Sequence, residues 1–295
     1  MINTEAKVTI PGPHPDPGTP KEIAPAHSCD THAHIFGPAD LYPMVPGRSY
    51  TPPEASIPAY VRLLSALGLE RAVIVQPSVY GTDNRCTCDA VRQSGGKWRG
   101  VAVVHPEVTR EELQALHEAG FRGVRINLLF EGGLMMDVLE RLARRIEPWG
   151  WHLQLLVAGR DLVDLAPRLR RLPVLSVIDH MGHLPATLTV RHPAFAALLS
   201  LVREGRCWVK LSGAYRISSK PFPYDDVVPM AQALVEAGPE QMVWGSDWPH
   251  PSFVGEMPVD AGLLDLLTEW VPDPGLRRRI LVENPARLYD FPSGD

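Results

Sequence analysis

The sequence predicts a single-domain (β/α)8 barrel, and three observations carry that expectation. Eight short apolar, β-branched runs alternate with amphipathic segments along the chain. Its 295 residues suit one barrel of this kind. The strand-like runs end in polar, chemically capable residues, at the place where this architecture builds its active site. A doubly wound open sheet is the alternative for the same alternation. That fold calls for a glycine-rich phosphate turn after its first strand, and His32 and His34 stand there instead.

Residues 1–26 hold Pro11, Pro13, Pro15, Pro17, Pro20 and Pro25 with no apolar segment between a basic start and a cleavage site, so they read as an extended arm rather than a signal peptide. The barrel domain is expected over residues 27–295. Its first strand covers about 27–34, and a long Pro/Gly/Tyr-bearing loop follows to about residue 56, a length that suits a lid or binding loop. Ile57 to Leu67 reads as a helix with Tyr60, Leu63, Leu64 and Leu67 on one face. Strands then follow at 71–77, 100–104, 123–127, 151–157, 174–180, 208–212 and 242–247. Helices alternate with them at 83–93, 110–119, 136–149, 161–169, 195–203 and 224–236, and two more close the chain at 260–270 and 275–288.

A net charge of -5 offers no basic field for nucleic acid, and no run of 18 apolar residues provides a membrane span. Cys29, Cys86, Cys88 and Cys207 form no disulfide framework, which points to a reducing, cytoplasmic setting. Cys86 and Cys88 read as small buried residues of a helix. The loop from Trp248 to Phe253, read as exposed, and the proline arm are candidate surfaces for a homo-oligomer.

The candidate site follows from the strand ends. In a strand alternate side chains share a face, so His32 and His34 aim two imidazoles at one point. The other ends supply Gln76 and Ser78, His105, Arg125 and Asn127, Gln154, His180, Ser212 with Arg216 beyond it, and Asp247. So many polar groups at adjoining ends must bond to one another or face a polar ligand. His183 is placed near the mouth, His152 at the opposite, stability face, and His117 and His192 at helix or cap positions.

Asp30-Thr31-His32-Ala33-His34, Gly123-Val124-Arg125-Ile126-Asn127, Ile178-Asp179-His180-Met181-Gly182, Lys210-Leu211-Ser212-Gly213-Ala214-Tyr215-Arg216, Gly245-Ser246-Asp247-Trp248-Pro249-His250 and Glu283-Asn284-Pro285-Ala286 span nearly the whole chain. With these motifs in this order the sequence resembles the amidohydrolase superfamily, in particular the amidohydrolase-related group that includes 2-pyrone-4,6-dicarboxylate lactonase. The resemblance implies hydrolysis of a small carboxylated lactone, from aromatic degradation or sugar-acid catabolism. Asp247 would take a proton from the attacking water, and His32, His34 and His180 would polarise the carbonyl. Arg125 and Arg216 are candidates for holding a substrate carboxylate, with Ser78, Gln76, Asn127, Gln154 and His183 completing the binding site.

A single divalent ion, Zn2+ or Mn2+, is the alternative role for His32, His34, His180 and Asp247. Metal-bearing members of the superfamily generally add a histidine at the end of the fifth strand, where this chain has Gln154 to Val157, so no required metal is the favoured expectation. The dicarboxylate lactonase also carries a second arginine soon after the Gly-Val-Arg strand. Leu128-Leu129-Phe130-Glu131 stand there, which favours a lactone with one carboxylate or a sugar-acid lactone. Other readings of the same residues are a lactone isomerase, a metal-dependent decarboxylase, and a non-enzymatic sugar-acid binding barrel. The last predicts loss of one of the four central residues, and all four are present.

Overall fold

The computed structural model describes residues 8–128 and 135–292, so Glu131 lies outside the described residues. Eight parallel strands form one sheet in chain order: β1 Cys29–Ala33, β2 Arg71–Val75, β3 Trp98–Ala102, β4 Phe121–Asn127, β5 His152–Leu156, β6 Ser176–Ile178, β7 Cys207–Leu211 and β8 Met242–Trp244. The seam between β8 and β1 closes just beyond the ladder. Thr31 Oγ1 donates to the Trp244 carbonyl at 2.7 Å, and the amides of Asp247 and His34 donate to the carbonyls of His32 and Trp248, each at 2.7 Å. Gly245 permits this approach, because a Cβ there would lie 2.6 Å from His32 Cβ and 2.9 Å from its amide nitrogen.

The outer layer consists of α1 Ile57–Leu67, α2 Arg85–Gln93, α3 Arg110–Glu118, α4 Met135–Ile146, α5 Leu162–Leu169, α6 Pro193–Arg203, α7 Val228–Ala237 and α8 Asp260–Trp270. Local chemistry sets their ends. Gly68 takes the left-handed conformation after α1, and Thr109 with Glu112 forms a reciprocal capping box at α3. Tyr60, Leu63, Leu64 and Leu67 are the buried face of α1. Inside the barrel Val73, Val75, Val101, Val177 and Val243 pack with Cys29, and Tyr289 and Phe291 from the C-terminal segment belong to the same cluster. The Arg71 and Arg99 guanidiniums lie 5.3 and 4.5 Å from the centre of the Phe291 ring.

Three differences from the sequence expectation bear on the site. The expected strands at 174–180 and 242–247 stop early, at Ile178 and Trp244. The chain then turns through left-handed backbone, with φ of 51° at His180 and 66° at Asp247, so both side chains sit on turns above the sheet. Trp248 is buried against Tyr60, with ring centres 5.2 Å apart, rather than exposed. The expected final helix is broken into Pro274–Arg278, a wider turn at Arg279–Glu283, and Asn284–Tyr289. Cys86 is buried and Cys88 half-buried, and all four thiols are free.

The described part of the arm runs along the barrel. Val8–Thr9 pairs in parallel with Tyr50–Thr51, and the Ala261 amide donates to Pro17 O at 2.8 Å. The Lys21 amide donates to Asp265 Oδ1 at 2.8 Å, and Arg277 pairs with Glu22 at 2.9 Å. No helix among the described residues is long and apolar enough to cross a membrane.

Candidate active site

His32 and His34 leave β1 on one face, and their Nε2 atoms come within 3.2 Å of each other. The other ring nitrogen of each is already engaged. His34 Nδ1 lies 2.7 Å from the Val75 carbonyl, which can only accept, so the proton is on Nδ1. His32 Nδ1 faces Asp179 Oδ1 at 3.3 Å, and His180 Nδ1 meets Ser212 Oγ at 2.9 Å. Gly213 makes room for His180, since its φ is +66° and a Cβ there would lie 3.0 Å from the imidazole.

Asp247 completes the cluster. Its Oδ1 is 3.8 Å from Nε2 of His32, 3.8 Å from Nε2 of His34 and 3.7 Å from Nε2 of His180. Its Oδ2 accepts from the Tyr215 hydroxyl at 2.6 Å and from Arg216 Nε at 2.7 Å. Oδ1 is buried and has no hydrogen-bond partner among the described residues. One carboxylate oxygen is thus tied down while the other faces three imidazoles.

Burial alone would raise the Asp247 carboxyl, but the Arg216 guanidinium and the neighbouring imidazoles outweigh it and hold the group well below the usual carboxylate range. The same competition holds Asp179 low, with His32, Lys210 and Arg125 opposing burial. Burial pushes His34 and His180 well below the ordinary imidazole value and His32 down more moderately. Beneath the cluster Lys210 Nζ donates to the Thr31 carbonyl at 2.7 Å and to Gln154 Oε1 at 2.9 Å, and burial lowers it to about 8. Asp30 accepts from the amides of His32 and Ser246 and from the hydroxyls of Ser246 and Tyr60, yet burial still raises it to about 6.

Above the cluster opens a cavity of about 130 Å³ lined by Tyr50, Ser78, Arg125, Asn127, His183 and Arg216, among others. The predicted quartet His32, His34, His180 and Asp247 is therefore brought together, with Ser78, Arg125, Asn127, His183 and Arg216 around the entrance. Two predicted lining residues are elsewhere. Gln76 is buried and bonds the carbonyls of Gly81 and Asp83 and the Thr87 hydroxyl, so it organises the loop after β2. Gln154 points into the barrel between Lys210 and Asp179, where its amide nitrogen donates to Asp179 Oδ2 at 3.2 Å. Arg216 is also less free than expected, since its Nε and Nη2 already serve Asp247 and the Pro251 carbonyl.

Outside the cavity, His192 caps α6 and His117 accepts from the Trp151 indole. His152 packs on Tyr289, and His105 caps a turn at Glu107. Buried participants that strand-end reasoning did not single out include Asp30, Asp179, Lys210, Tyr215 and His250. Asp179 adjoins His180 and Tyr215 adjoins Arg216, so adjacency to a chosen residue was the available signal. Left-handed backbone at His180, His183, Asp247 and His250 marks the same rim, and strain of this kind gathers at functional sites.

The amidohydrolase family model matches residues 29–291. The chain belongs to the amidohydrolase family. Among its relatives in that family, 4-sulfomuconolactone hydrolase of Hydrogenophaga intermedia is 40% identical over 272 residues, covering 90% of each chain. The 2-pyrone-4,6-dicarboxylate hydrolase of Comamonas testosteroni is 39% identical over 93% of each chain. D-galactarolactone isomerase of Agrobacterium fabrum is 34% identical, with 92% of this chain and 93% of that protein covered. Among solved amidohydrolase structures, a probable 2-pyrone-4,6-dicarboxylic acid hydrolase from Acinetobacter baumannii with citric acid bound superposes with a TM-score of 0.79. It is 29% identical and covers 90% of this chain and all of that one.

Proposed function

We propose that this amidohydrolase opens the lactone ring of a small carboxylated molecule by hydrolysis, with Asp247 activating the water. The observation that carries the reading is the bare Oδ1 of an ionised, buried carboxylate, facing the cavity-side imidazoles while Oδ2 is tied by Tyr215 and Arg216. Such an oxygen is a ready proton acceptor. Ser212 Oγ lies 2.9 Å from His180 Nδ1, and in the tautomer where the hydroxyl donates, neutral His180 carries its proton on Nε2 and can donate to the carbonyl oxygen.

Water oxygen bonds to the carbonyl carbon as Asp247 Oδ1 takes one water proton, and the charge on the tetrahedral oxygen is met by the His180 N–H. Collapse breaks the ring C–O bond, and the proton held by Asp247 passes to the departing ring oxygen. Arg125, beside Ser78 and Asn127 at the entrance, binds the substrate carboxylate. The similarity to lactone hydrolases at about 40% identity supports this assignment.

The two Nε2 atoms at 3.2 Å need one proton or a metal ion between them, because two lone pairs so close repel. Nitrogens of His32 and His34 and an oxygen of Asp247 lie close enough together to hold a divalent ion such as Zn2+ or Mn2+, with His180 Nε2 3.7 Å from the same carboxylate oxygen. His32, His34, His180 and Asp247 would then hold it, and the chemistry supplied would be Lewis-acid polarisation of the carbonyl. We favour a proton instead. Arg125, Lys210 and Arg216 already balance Asp30, Asp179 and Asp247, so a divalent ion would leave two uncompensated charges in a nearly sealed site. A proton on Nε2 of a neutral His32 adds no charge, and burial, which lowers the His32 imidazole, favours that form.

Attack by a neighbouring substrate hydroxyl instead of water would make the same groups a lactone isomerase, and the 34% identity to D-galactarolactone isomerase supports that as the second reading. Turnover of a panel of carboxylated lactones in H2(18)O decides between them. Hydrolysis places one heavy oxygen in the new carboxylate of the open acid. An isomerised lactone without label establishes the isomerase, and no turnover of any lactone sinks both. The four free cysteines support a cytoplasmic setting, and the similarity to lactone hydrolases a catabolic one, with residues 1–26 as an arm appended to the barrel domain at 27–295.

A further inference from the structure

A line of buried polar side chains leads from Asp247 away from the cavity to the outer helix α8. The Tyr215 hydroxyl donates to Asp247 Oδ2 at 2.6 Å, and His250 Nδ1 lies 3.0 Å from the same phenol oxygen. Asp260 Oδ1, on the first residue of α8, lies 3.3 Å from His250 Nε2. His250 and Asp260 are fully buried. Neither His250 Nε2 nor either Asp260 oxygen has a hydrogen-bond partner among the described residues, so the 3.3 Å approach is an ion-pair contact.

The protons along this line can be ordered. A phenol has one proton, and the ionised Asp247 has none of its own, so the 2.6 Å contact places the Tyr215 proton on the Asp247 side. His250 Nδ1 must then donate to the phenol oxygen. Asp260 Oδ1 faces Nε2 of the same ring, where an N–H meets a carboxylate and a lone pair would be repelled by it. The Asp260 carboxylate is thus placed to pair with the ring whose Nδ1 donates to Tyr215. A structural explanation is weak, because Asp260 makes no capping bond at α8 and a buried carboxylate with so few partners costs stability. The backbone reinforces the arrangement, as the His250 amide donates to the Asp247 carbonyl at 2.7 Å.

We infer that His250 and Asp260 are positioning residues for the proposed lactone-opening reaction: they lock Tyr215 as a donor to Asp247 Oδ2, so that Oδ1 stays bare and aimed at the attacking water. This rests on the reading of Asp247 as the base.

The test uses the full chain with Asp260→Asn and His250→Gln, following kcat, KM, melting temperature and the 15N-resolved ring N–H signals of His250. Each variant is expected to lower kcat about tenfold to a hundredfold with KM held within about twofold, the scale of a misaimed catalytic group. Asp260→Asn removes a poorly partnered buried charge, so a merely structural role predicts an equal or higher melting temperature and unchanged kcat. Two solvent-protected His250 N–H signals are expected in the native protein, with the Nε2 signal losing protection in Asp260→Asn. Native-like kcat in both variants overturns the inference. If the native protein opens no lactone, the proposed function falls and the N–H signals still decide: their absence overturns the ordered line, and their presence supports it.

Discussion

Replacing Asp247 by Asn tests the base assignment while keeping the shape of the side chain. The amide has one oxygen where the carboxylate has two, and the oxygen must go to the donors. Tyr215 at 2.6 Å and Arg216 at 2.7 Å both donate, so the Asn carbonyl turns to them and its NH2 takes the place of Oδ1 opposite the three imidazoles. The proton acceptor is thereby exchanged for a donor. Loss of a general base costs about 10²- to 10⁴-fold in rate, or roughly 3 to 5 kcal/mol at ~1.4 kcal/mol per decade. Two charge-assisted bonds also become ordinary ones, each weaker by about 1 kcal/mol, so stability should fall by about 2 kcal/mol. Initial rates of ring opening on the best lactone of a panel, with urea unfolding of the same samples, measure both quantities. An Asp247→Asn enzyme retaining more than about a tenth of the native kcat would refute the assignment.

Arg125→Met should raise KM for a carboxylated lactone about 10- to 100-fold, the worth of one charge-assisted contact, while an uncharged lactone of the same ring size changes little; equal effects on both would remove Arg125 from carboxylate recognition. Ser212→Ala frees His180 Nδ1 to take the imidazole proton, so kcat should drop about tenfold with KM unchanged, and an unaffected kcat would mean that the His180 tautomer does not matter. Asp30, raised from 3.8 to about 6, favours folding in its protonated form, and that contribution is lost as pH rises from about 4 through 6. The roughly 2-unit shift corresponds to about 3 kcal/mol. Asp179 and Asp247 act in the opposite sense, contributing above their ordinary carboxylate range and losing that contribution as pH falls. The buried imidazoles of His32, His34, His152, His180 and His183 are all held below their ordinary 6.5, add stability that is lost as pH falls below about 6.5, and together outweigh Asp30. Urea midpoints should therefore rise from about pH 4 to 6.5, more steeply in Asp30→Asn, and a native midpoint that falls over that interval would contradict this.

The alternation of strands and helices was legible because each strand is buried on both faces and each helix carries one apolar stripe. The two-residue spacing of His32 and His34 transmits directly into a shared face, which is why that pair was the clearest signal. His180 and Asp247 were found, but as strand residues, because left-handed backbone at a non-glycine leaves no mark in a sequence. Gln76 and Gln154 show the limit of reading strand ends: the register is visible, but which neighbours compete for an amide is not. Lys210 lay hidden in an apolar run, and Asp260 opens a helix that sequence reasoning places on the outside. Their roles depend on contacts across 179 residues, from Lys210 to Thr31, and across the His250–Asp260 turn.

The central claim is that Asp247 and the surrounding imidazoles open a lactone without a required metal ion. Elemental analysis of the purified protein, with lactone turnover measured before and after exhaustive chelation, tests it most directly. The account predicts negligible bound metal and undiminished ring opening. About one equivalent of a divalent metal, with activity lost on chelation and restored by adding the ion back, would contradict it and make His32, His34, His180 and Asp247 a ligand shell.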